Sequence, residues 1–396
     1  MELNLPLEVR EYRPEDAAAA LALRNAVFSP IGPEHWPQSQ TAAVALLDGR
    51  MVGVIPFTIR DFEIAPGVAI RGAFANSVAV AEGYRDRGIG TRMMAEARSF
   101  LPRRAEAMFV YTGDERKGLP YRFYIKTGHH DLSYPRRLPW ATPTGVSQPE
   151  GAEVLPVEAT AALEAGLLAV YGACYAQCAG TPPRRPGYWR QALASHIFVE
   201  MPHEDFTLVA LRTQGVLQAY ALAGLRQAQL VVLECAARQE AAADELWQAV
   251  GGLAGRLGAA ATLLYGQDLN TPLYASALRA GFIPEPRRDV LVGQVLAPVA
   301  LYERRREAAL AGSGITVEVW TPARSLTLRQ EDQGAPTLSL EMKEETLHRL
   351  LLARVDLQAA VREQRVTVRA GGWDLVGQVA AILQPVPWVY HHLDYI

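Results

Sequence analysis

The strongest restriction on this chain comes from seven consecutive residues, Arg85 to Thr91, which read Arg-Asp-Arg-Gly-Ile-Gly-Thr. They lie between a strand-like run, Asn76 to Val80, and a helix-like run, Met93 to Leu101. N–H groups at the start of a helix have no intrahelical acceptor, and the helix dipole adds partial positive charge there. Glycines let an anion approach the backbone closely, and arginines supply forked donors for phosphate oxygens. The stretch therefore predicts a phosphate-binding turn.

Two better-known phosphate-binding patterns do not fit this turn. It differs from a P-loop because no Gly-Lys-Ser or Gly-Lys-Thr sequence follows it. It also differs from the dinucleotide-binding pattern Gly-x-Gly-x-x-Gly, because Met93 stands where the third glycine would be. An ordinary turn between a strand and a helix accounts equally well for these seven residues taken alone.

A second pattern makes the first more specific. Residues Pro120 to His129 contain Phe-Tyr-Ile-Lys-Thr-Gly, with the tyrosine at Tyr124. A Val-x-Val strand, an Arg-x-x-Gly-x-Gly turn and a Phe-Tyr-x-Lys-x-Gly segment together resemble the GCN5-related N-acetyltransferase (GNAT) superfamily over residues 1–145. The resemblance implies a site for acetyl-CoA, in which the turn holds the pyrophosphate and the preceding strand bonds to the pantetheine arm. It also implies that Tyr124 lies near the thioester sulfur.

The acetyl-CoA site implied by this resemblance consists of strand residues and the whole turn: Val78, Ala79, Val80, Arg85, Asp86, Arg87, Gly88, Ile89, Gly90 and Thr91. In that site Tyr124 would protonate the leaving thiolate, and the backbone N–H of Val78 would polarise the thioester carbonyl. His35 and Trp36 follow the first predicted helix and would line the acceptor pocket, where an aromatic ring attracts an ammonium group. An aromatic residue that anchors its loop to the core would look the same in the sequence.

Composition limits the remaining functions. The chain has 396 residues, 49% of them hydrophobic and 20% charged, which predicts two or three globular domains. Its net charge is −3, from 39 basic and 42 acidic residues, so no basic excess points to a nucleic-acid partner. We expect the basic run Arg304 to Arg306, flanked by Glu303 and Glu307, to form a solvated helix face.

No segment of the sequence predicts a membrane span or a metal site. No apolar stretch reaches about 18 residues, and the first residues lack the basic and apolar regions of a signal peptide. The three cysteines are too few for a disulfide framework and lack partners for a zinc site: Cys174, Cys178 and Cys235. We therefore expect reduced, packed cysteines in a cytoplasmic protein.

The order of predicted elements indicates an α/β fold of the α+β kind, with mixed sheets in three segments. In residues 1–145 we expect a strand from Val9 to Tyr12, a helix from Pro14 to Val27, and a hairpin at Asp48-Gly49 before the motif strand. A proline-rich stretch at 135–151 predicts a linker.

Residues 152–297 repeat this order weakly. Leu230 to Cys235 corresponds to the motif strand, but the glycine turn is replaced by Arg238 to Glu245, which contains three carboxylates. Carboxylates at the start of a helix satisfy its free N–H groups and repel pyrophosphate. We expect this segment to fold as a degenerate GNAT unit that does not bind CoA.

The pattern changes again in residues 298–396. Three strand patterns alternate with two helix patterns: Ile315 to Trp320, Thr337 to Glu341 and Val366 to Val368, and Lys343 to Ala353 and Asp374 to Leu383. This order resembles the sterol-carrier-protein-like domain, by pattern rather than by a chemical motif.

An active unit, a degenerate unit and this third domain together resemble the enhanced-intracellular-survival (Eis-type) N-acetyltransferases over nearly the whole chain. The resemblance implies acetyl transfer from acetyl-CoA to primary amines of a polyamine or an aminoglycoside, and a homo-oligomer, specifically a hexamer. It also implies that the terminal carboxylate, here that of Ile396, reaches the first unit and acts as general base. Such chains commonly carry an aromatic residue at this position, so Ile396 leaves the choice of acceptor open.

Several alternatives stay open. The histidines His129, His130, His391 and His392 compete for the role of base, although we expect both pairs on solvated loops. A lipid- or small-molecule-binding protein on a GNAT scaffold, or a thiol-pathway acetyltransferase with tandem GNAT units, would share many of these features. The intact phosphate turn argues against the first, and the third segment weighs against the second.

Overall fold

The computed structural model describes residues 6–36, 41–112, 118–143, 145, 148–265, 271–285, 290–309 and 314–395. Up to residue 133 the structure contains the predicted first strand, first helix and hairpin, and also a strand at Val68–Ala75 that the sequence did not predict. The elements are β1 (Leu7–Glu11), α1 (Ala17–Val27), β2 (Thr41–Leu47), β3 (Arg50–Ala65), β4 (Val68–Ala75), β5 (Ala79–Val80), α2 (Ile89–Phe100), β6 (Ala107–Tyr111), α3 (Leu119–Lys126) and β7 (His130–Ser133).

The middle of the chain contributes β8 (Arg137–Ala141), β9 (Ala152–Pro156), α4 (Ala159–Tyr175), α5 (Tyr188–Leu193), α6 (Ile197–Glu200), β10 (Glu204–Thr213), β11 (Val216–Arg226), β12 (Gln229–Ala237), α7 (Glu240–Arg256), β13 (Ala261–Tyr265), α8 (Tyr274–Ala280), β14 (Leu291–Val295) and α9 (Pro298–Ala308). The last part contributes β15 (Thr316–Trp320), β16 (Ser325–Arg329), β17 (Thr337–Met342), α10 (Glu344–Leu351), α11 (Leu357–Arg362), β18 (Val366–Ala370) and α12 (Trp373–Ile382). These elements confirm the mixed α/β class.

The strands form three sheets. The first has the order β1-β2-β3-β4-β6-β14-β7, with β5 paired to β3, the second has the order β8-β13-β12-β11-β10-β9, and the third has the order β16-β15-β17-β18. We call each sheet, with the helices that pack on it, the first, second and third unit.

The first and second sheets follow one strand order and exchange a strand. Each begins with four antiparallel strands, continues with a parallel pair, β4 with β6 or β12 with β13, and adds a further antiparallel strand, beyond which the first sheet alone has β7. That further strand is β14 in the first sheet and β8 in the second. In the sequence, β14 comes after the other strands of the second sheet, but it joins the first sheet. β8 comes directly after β7 of the first sheet, but it joins the second sheet. The two units are therefore interlocked.

The predicted linker at 135–151 is wrong in its first part. Arg137 to Ala141 form β8, in which Leu138 is fully buried and pairs with Leu264 of β13. Pro139 is tolerated because β8 is an edge strand, where a missing backbone donor leaves no neighbouring acceptor unpaired. The apolar residues between these prolines are typical of a strand, but the prolines favoured the prediction of a linker.

The predicted solvated face of α9 is wrong at one residue. Arg305 is 3% exposed, and its guanidinium donates to the backbone oxygens of Leu350 at 3.0 Å and Gln384 at 2.6 Å. Arg304, next to it, is exposed as expected. The arginine run therefore includes one residue that ties α9 into the third unit.

Both faces of the first sheet are covered. One face packs on α2 and α3, and the other packs on the third unit through Phe62, Phe74 and Phe109. Trp388, 5.5 Å from the Phe62 ring, belongs to the same cluster. Residues 387–395, which we call the tail, continue from there into the core of the second unit, where Leu393 packs. No helix in the described ranges is long and apolar enough to cross a membrane.

Candidate active site

A bulge at Ser77 separates β4 from β5, so only Ala79 and Val80 of the predicted strand Asn76 to Val80 form a regular strand. Ser77 has φ +42°, and the N–H groups of Asn76 and Ala81, five positions apart, both donate to carbonyl groups of β3. In a regular strand N–H groups five apart point to opposite edges, so the bulge supplies one extra residue. The N–H groups of Val78 and Val80 therefore point away from β3.

The bulge opens a gap between β5 and β6. β4 pairs with β6 only through Gly72 to Phe74, whereas β5, among the described strands, pairs with β3 alone. The N–H groups of Val78 and Val80 face this gap, where they have no partner strand. Such an open edge offers donors to an extended, amide-containing ligand arm.

The seven-residue turn begins α2. Gly88 is the N-cap with φ +74°, and the first helical hydrogen bond runs from the Arg92 N–H to the Gly88 carbonyl at 3.0 Å. The N–H groups of Ile89, Gly90 and Thr91 have no intrahelical acceptor, and no acidic residue lies in this first turn. A Cβ at Gly88 would meet no atom of the described residues within 4 Å, so the turn is open beside this glycine. The turn therefore fits an anion.

The charged residues of the turn are exposed. Arg85 Nε donates to the Val80 carbonyl at 3.1 Å, which fixes this side chain beside the strand. The Arg87 guanidinium lies 5.7 Å from the Tyr84 ring. Asp86 adopts a left-handed backbone with φ +60°. Two cations thus lie close to the start of α2, where they add to the positive end of the helix dipole.

Tyr124 lies on α3, which packs against the start of α2. A Cβ at Gly90 would lie 3.1 Å from the Phe123 ring, so the glycine gives α3 room. Tyr124 is 5% exposed, and burial, with a smaller effect of Tyr395, raises the pKa of its hydroxyl above the usual value. The hydroxyl therefore keeps its proton throughout the neutral range and can donate a hydrogen bond.

Two adjoining cavities open beside these elements. The inner cavity, of about 230 Å³, is lined by Asn76, Ser77 and Tyr124 among others. The outer cavity, of about 570 Å³, has four charged residues in its wall: Glu34, Arg60, Asp61 and Arg185. His196 and Tyr395 belong to the walls of both cavities. The bulge, the tyrosine of the second motif and the end of the tail therefore meet at one place.

Residues 9–124 match the model of the acetyltransferase (GNAT) family, a range that contains the bulge, the turn and Tyr124. This part of the chain is a GNAT acetyltransferase domain. The family uses acetyl-CoA as co-substrate, and the protein is accordingly an acyltransferase. A comparison with curated proteins finds no significant match.

Solved structures share the fold along nearly the whole chain. A probable N-acyltransferase from Enterococcus faecalis V583 has a TM-score of 0.68 at 13% identity, over 98% of this chain and 99% of that chain. A GCN5-related N-acetyltransferase from Kribbella flavida has a TM-score of 0.64 at 14% identity, over 100% and 99%. Eis1 from Mycobacterium abscessus has a TM-score of 0.64 at 16% identity, over 98% and 100%. At these identities the likeness concerns the fold.

The second unit has a different helix start at the corresponding place. α7 follows β12 as α2 follows β5, but its N-cap is Gln239 and its first residue is Glu240. Arg279 pairs with Glu240 at 2.6 Å and with Asp244 at 2.9 Å. The predicted carboxylates therefore occupy this helix start together with their own cation.

The predicted solvent exposure of the histidine pairs is wrong. His129, His391 and His392 are at most 3% exposed, and His130 is half-buried beside His348. Burial lowers the pKa of His129 and His392 to about 3 and that of His391 to about 4. These imidazoles are neutral at pH 7, and a pKa so low makes them weak bases.

The two residues predicted to line the acceptor pocket separate in the structure. His35 lines the outer cavity, with its Nε2 3.6 Å from Glu34 Oε1. Trp36 is 9% exposed and packs in a core cluster with Val44 and Ala79, so it anchors its loop. Ile396 lies outside the described residues. Its neighbour Tyr395 lies at the junction of the cavities.

Sequence reasoning missed several residues near the site. His196, in the wall of both cavities, has a pKa lowered to about 4, chiefly by burial. Arg60 and Arg184 contact Asp394 of the tail, and Glu234 contacts Arg184.

The cysteines are packing residues, as predicted. Cys174, Cys178 and Cys235 are free thiols, at most 9% exposed, and burial raises the pKa of each above its usual value. Within the described ranges no group of three or more His, Cys, Asp or Glu side chains is arranged to hold a metal ion.

Proposed function

We propose that the protein transfers the acetyl group of acetyl-CoA to a primary amine of a small acceptor of the polyamine or aminoglycoside type. One arrangement carries the proposal: the open edge of β5 leads into the glycine turn at one end and borders the cavity of Tyr124 at the other. Donors for a pantetheine arm, donors for a pyrophosphate and a proton donor for a sulfur thus follow one another along a single path.

The turn and the strand would hold the co-substrate. The N–H groups of Ile89, Gly90 and Thr91, with the guanidinium groups of Arg85 and Arg87, would bind pyrophosphate oxygens. The N–H groups of Val78 and Val80 would bond to the pantetheine arm, and that of Val78 would also polarise the thioester carbonyl. Fixing the arm at both ends limits the motion of the thioester, and this proximity supplies much of the rate.

Tyr124 is the proposed general acid. Its pKa lies above the usual value because the ring is buried, so the hydroxyl is protonated when the reaction begins. A buried phenolate is costly, so Tyr124 would donate its proton to the sulfur only as the C–S bond breaks and negative charge develops there. The amine nitrogen forms its bond to the acetyl carbon in the same step.

The α-carboxylate of Ile396 is the proposed general base. An α-carboxyl group ordinarily has a pKa near 3.5, so it is ionised at pH 7 and can accept the proton that the amine loses. The support is the resemblance to Eis-type enzymes and the position of Tyr395, the preceding residue, between the two cavities. Burial lowers the pKa of each of the four competing histidines, which weakens the rival assignments.

The outer cavity is the proposed acceptor site. Its wall contains the carboxylates of Glu34 and Asp61, and Asp61 is paired with Arg185 at 2.9 Å. Glu34 beside His35 therefore offers negative charge to an ammonium group. Its volume of about 570 Å³ suits a small molecule better than a folded protein.

Other features of the Eis-type resemblance enter the proposal as well. They are a second unit that folds as a degenerate GNAT unit without CoA, a sterol-carrier-like third unit, a cytoplasmic location and a hexamer. Light scattering would test the assembly, for which we expect six times the chain mass of 43.3 kDa. Calorimetry with CoA would test the stoichiometry, for which we expect one site per chain.

Release of CoA thiol from acetyl-CoA, measured against a panel of amines, tests the function directly. The panel contains aminoglycosides, spermidine and related polyamines, lysine peptides and simple amino acids. We expect release with polyamines or aminoglycosides, with several equivalents of CoA per acceptor. Release only with lysine peptides or amino acids would contradict the acceptor class. A chain that does not bind acetyl-CoA at all would contradict the proposed reaction.

A further inference from the structure

The tail is held by a polar cluster to which the mechanism above assigns no catalytic role, although Arg60 and Tyr188 also line the outer cavity. We define the tail clamp as Arg60, Arg184, Tyr188, Glu234 and Asp394. Glu234 is 1% exposed and Asp394 is 2% exposed, and the Arg184 side chain is 2% exposed. Two carboxylates buried so completely destabilise a fold unless cations and hydrogen-bond donors compensate them.

Arg184 lies at the centre of the clamp. Its Nη2 lies 3.0 Å from Asp394 Oδ2 and also contacts Glu234 Oε2, to which its Nε donates at 2.8 Å. Burial disfavours the charge of Arg184, but the carboxylates of Asp394 and Glu234 outweigh burial and raise its pKa well above the usual value. One guanidinium therefore joins two carboxylates that lie far apart in the sequence.

Each carboxylate has additional donors. The Tyr188 hydroxyl donates to Asp394 Oδ1. Glu234 Oε1 accepts two hydrogen bonds, at 2.7 and 2.6 Å, from Trp189 Nε1 and the Tyr220 hydroxyl. A buried network with this many fixed partners has one favoured geometry, because any displacement leaves a charged group unpaired.

The clamp connects the tail to both of the interlocked units. Arg60, on β3 of the GNAT domain, lies 4.0 Å from the Phe74 ring and donates to the Asp394 carbonyl at 2.9 Å. Glu234 lies on β12, which has the place in the second sheet that β4 has in the first. The residue after Asp394 is Tyr395, in the wall of both cavities.

We propose that Glu234 and Arg184 are positioning residues that act through Asp394 to hold the end of the tail at the inner cavity in the geometry required for acetyl transfer. The second unit would then hold the tail in place for the GNAT domain, through a carboxylate on β12, the strand that corresponds to β4 of the first sheet. This inference rests on the proposed function, because it requires the tail to supply a reacting group. Buried ion clusters add little net stability over apolar packing, so a role in fixing position accounts better for this one.

The charge of Glu234 can be removed with little change of shape. Glu234→Gln keeps an oxygen for Trp189 and Tyr220 but removes the negative charge that faces Arg184. Ser276→Ala is the matched control, because it removes a buried 2.8 Å hydrogen bond to Trp247 in the same unit but outside the clamp. If Glu234→Gln does not fold, Asp394→Asn tests the same link from the tail.

Hydrogen exchange of residues 387–395 in the full chain, with steady-state kinetics on the best amine of the panel, tests the proposal. We expect Glu234→Gln to speed exchange of the tail about tenfold. We also expect kcat to fall about tenfold or more with an unchanged KM for acetyl-CoA, because the tail is misplaced while the turn is intact. Ser276→Ala should resemble the wild type in both measurements.

Three outcomes would overturn the inference: exchange as slow as in the wild type, faster exchange with an unchanged kcat, or the same losses in Ser276→Ala. The last would mean that any weakening of the second unit has this effect. The wild-type protein tests the proposed function separately. If the wild type released no CoA with any amine, the proposed function would fail, and this inference would fail with it.

Discussion

Tyr124 has a position and an environment that suit a proton donor but not a phenolate. It lines the inner cavity, it is 5% exposed, and burial raises its pKa. Tyr121, one turn earlier on the same helix, donates instead to Asp131 at 3.0 Å. Two tyrosines of α3 therefore differ in what their hydroxyl groups can reach, and this difference provides a matched pair for mutagenesis.

We expect Tyr124→Phe to lower kcat about 100-fold, the usual size of a general-acid contribution, with little change in the Kd of acetyl-CoA. The ring still packs, and the groups that bind pyrophosphate are untouched. Tyr121→Phe should leave kcat within about twofold of the wild type, a change typical of a residue outside the site. The measurements are CoA release and calorimetric titration. Equal kcat values for Tyr124→Phe and the wild type would remove Tyr124 from the mechanism.

The position of the turn before α2 and that of Tyr124 on α3 were predictable from the sequence, whereas the clamp was not, for a physical reason. Gly88 and Arg85 lie in one short segment, so their spacing can be read from the sequence. Arg184 and Asp394 stand 210 positions apart, and each alone looks like an ordinary surface charge. Only the fold brings them together, and a buried charge leaves no periodic pattern in its own neighbourhood.

The turn that begins α2 combines a left-handed glycine with open space. We expect Gly88→Ala to raise the KM for acetyl-CoA and to lower stability by about 1 kcal/mol, because φ +74° strains any residue with a Cβ. The added methyl group would also stand where the phosphate approaches. Gly83→Ala is the control, since its Cβ would meet nothing within 4 Å and its φ is not positive. Equal KM values in both variants would count against a phosphate site at this turn.

Strands were predicted more reliably than the sheets to which they belong. The sequence did not predict β14 (Leu291–Val295), and its local pattern would be the same whether that strand joined the first sheet or the second. β14 joins the first because it fits between β6 and β7. Gly293 of β14 lies against β6, since a Cβ at Gly293 would lie 3.0 Å from the carbonyl oxygen of Met108. Such packing depends on a neighbour distant in sequence, so local periodicity cannot assign it.

The exchange of β8 and β14 and the path of the tail make the units depend on one another. The GNAT domain lacks a strand of its own sheet without residues 291–295, and the tail joins cores of the second and third units through Leu393 and Trp388. Acid that disturbs the tail should therefore weaken the fold as a whole. The histidines of the tail provide that sensitivity.

Among the histidines of the tail, His392 is the one from which we expect the clearest loss of stability in acid. It is 3% exposed, neither ring nitrogen has a hydrogen-bond partner among the described residues, and the ring stacks 4.5 Å from that of Tyr265. Burial, and then the charges of His203, Arg226 and Arg137, lower its pKa to about 3. An unfolded histidine has a pKa near 6.5, so between these values the unfolded chain binds a proton that the folded chain does not. Stability is therefore full above about pH 6.5 and falls as the pH falls towards 3.

We expect the burial of neutral His392 to lower the free energy of unfolding by about 2 kcal/mol as the pH falls from 7.5 to 5, because each pKa unit corresponds to about 1.4 kcal/mol. His392→Phe retains the stacked ring but cannot be protonated, so its stability should fall less steeply with acid than that of the wild type. His35→Phe, at a partly exposed position in the GNAT domain, should follow the wild-type slope. Chemical unfolding at several pH values between 5 and 7.5 measures these slopes. Parallel curves for His392→Phe and the wild type would show that His392 is not held neutral by the fold.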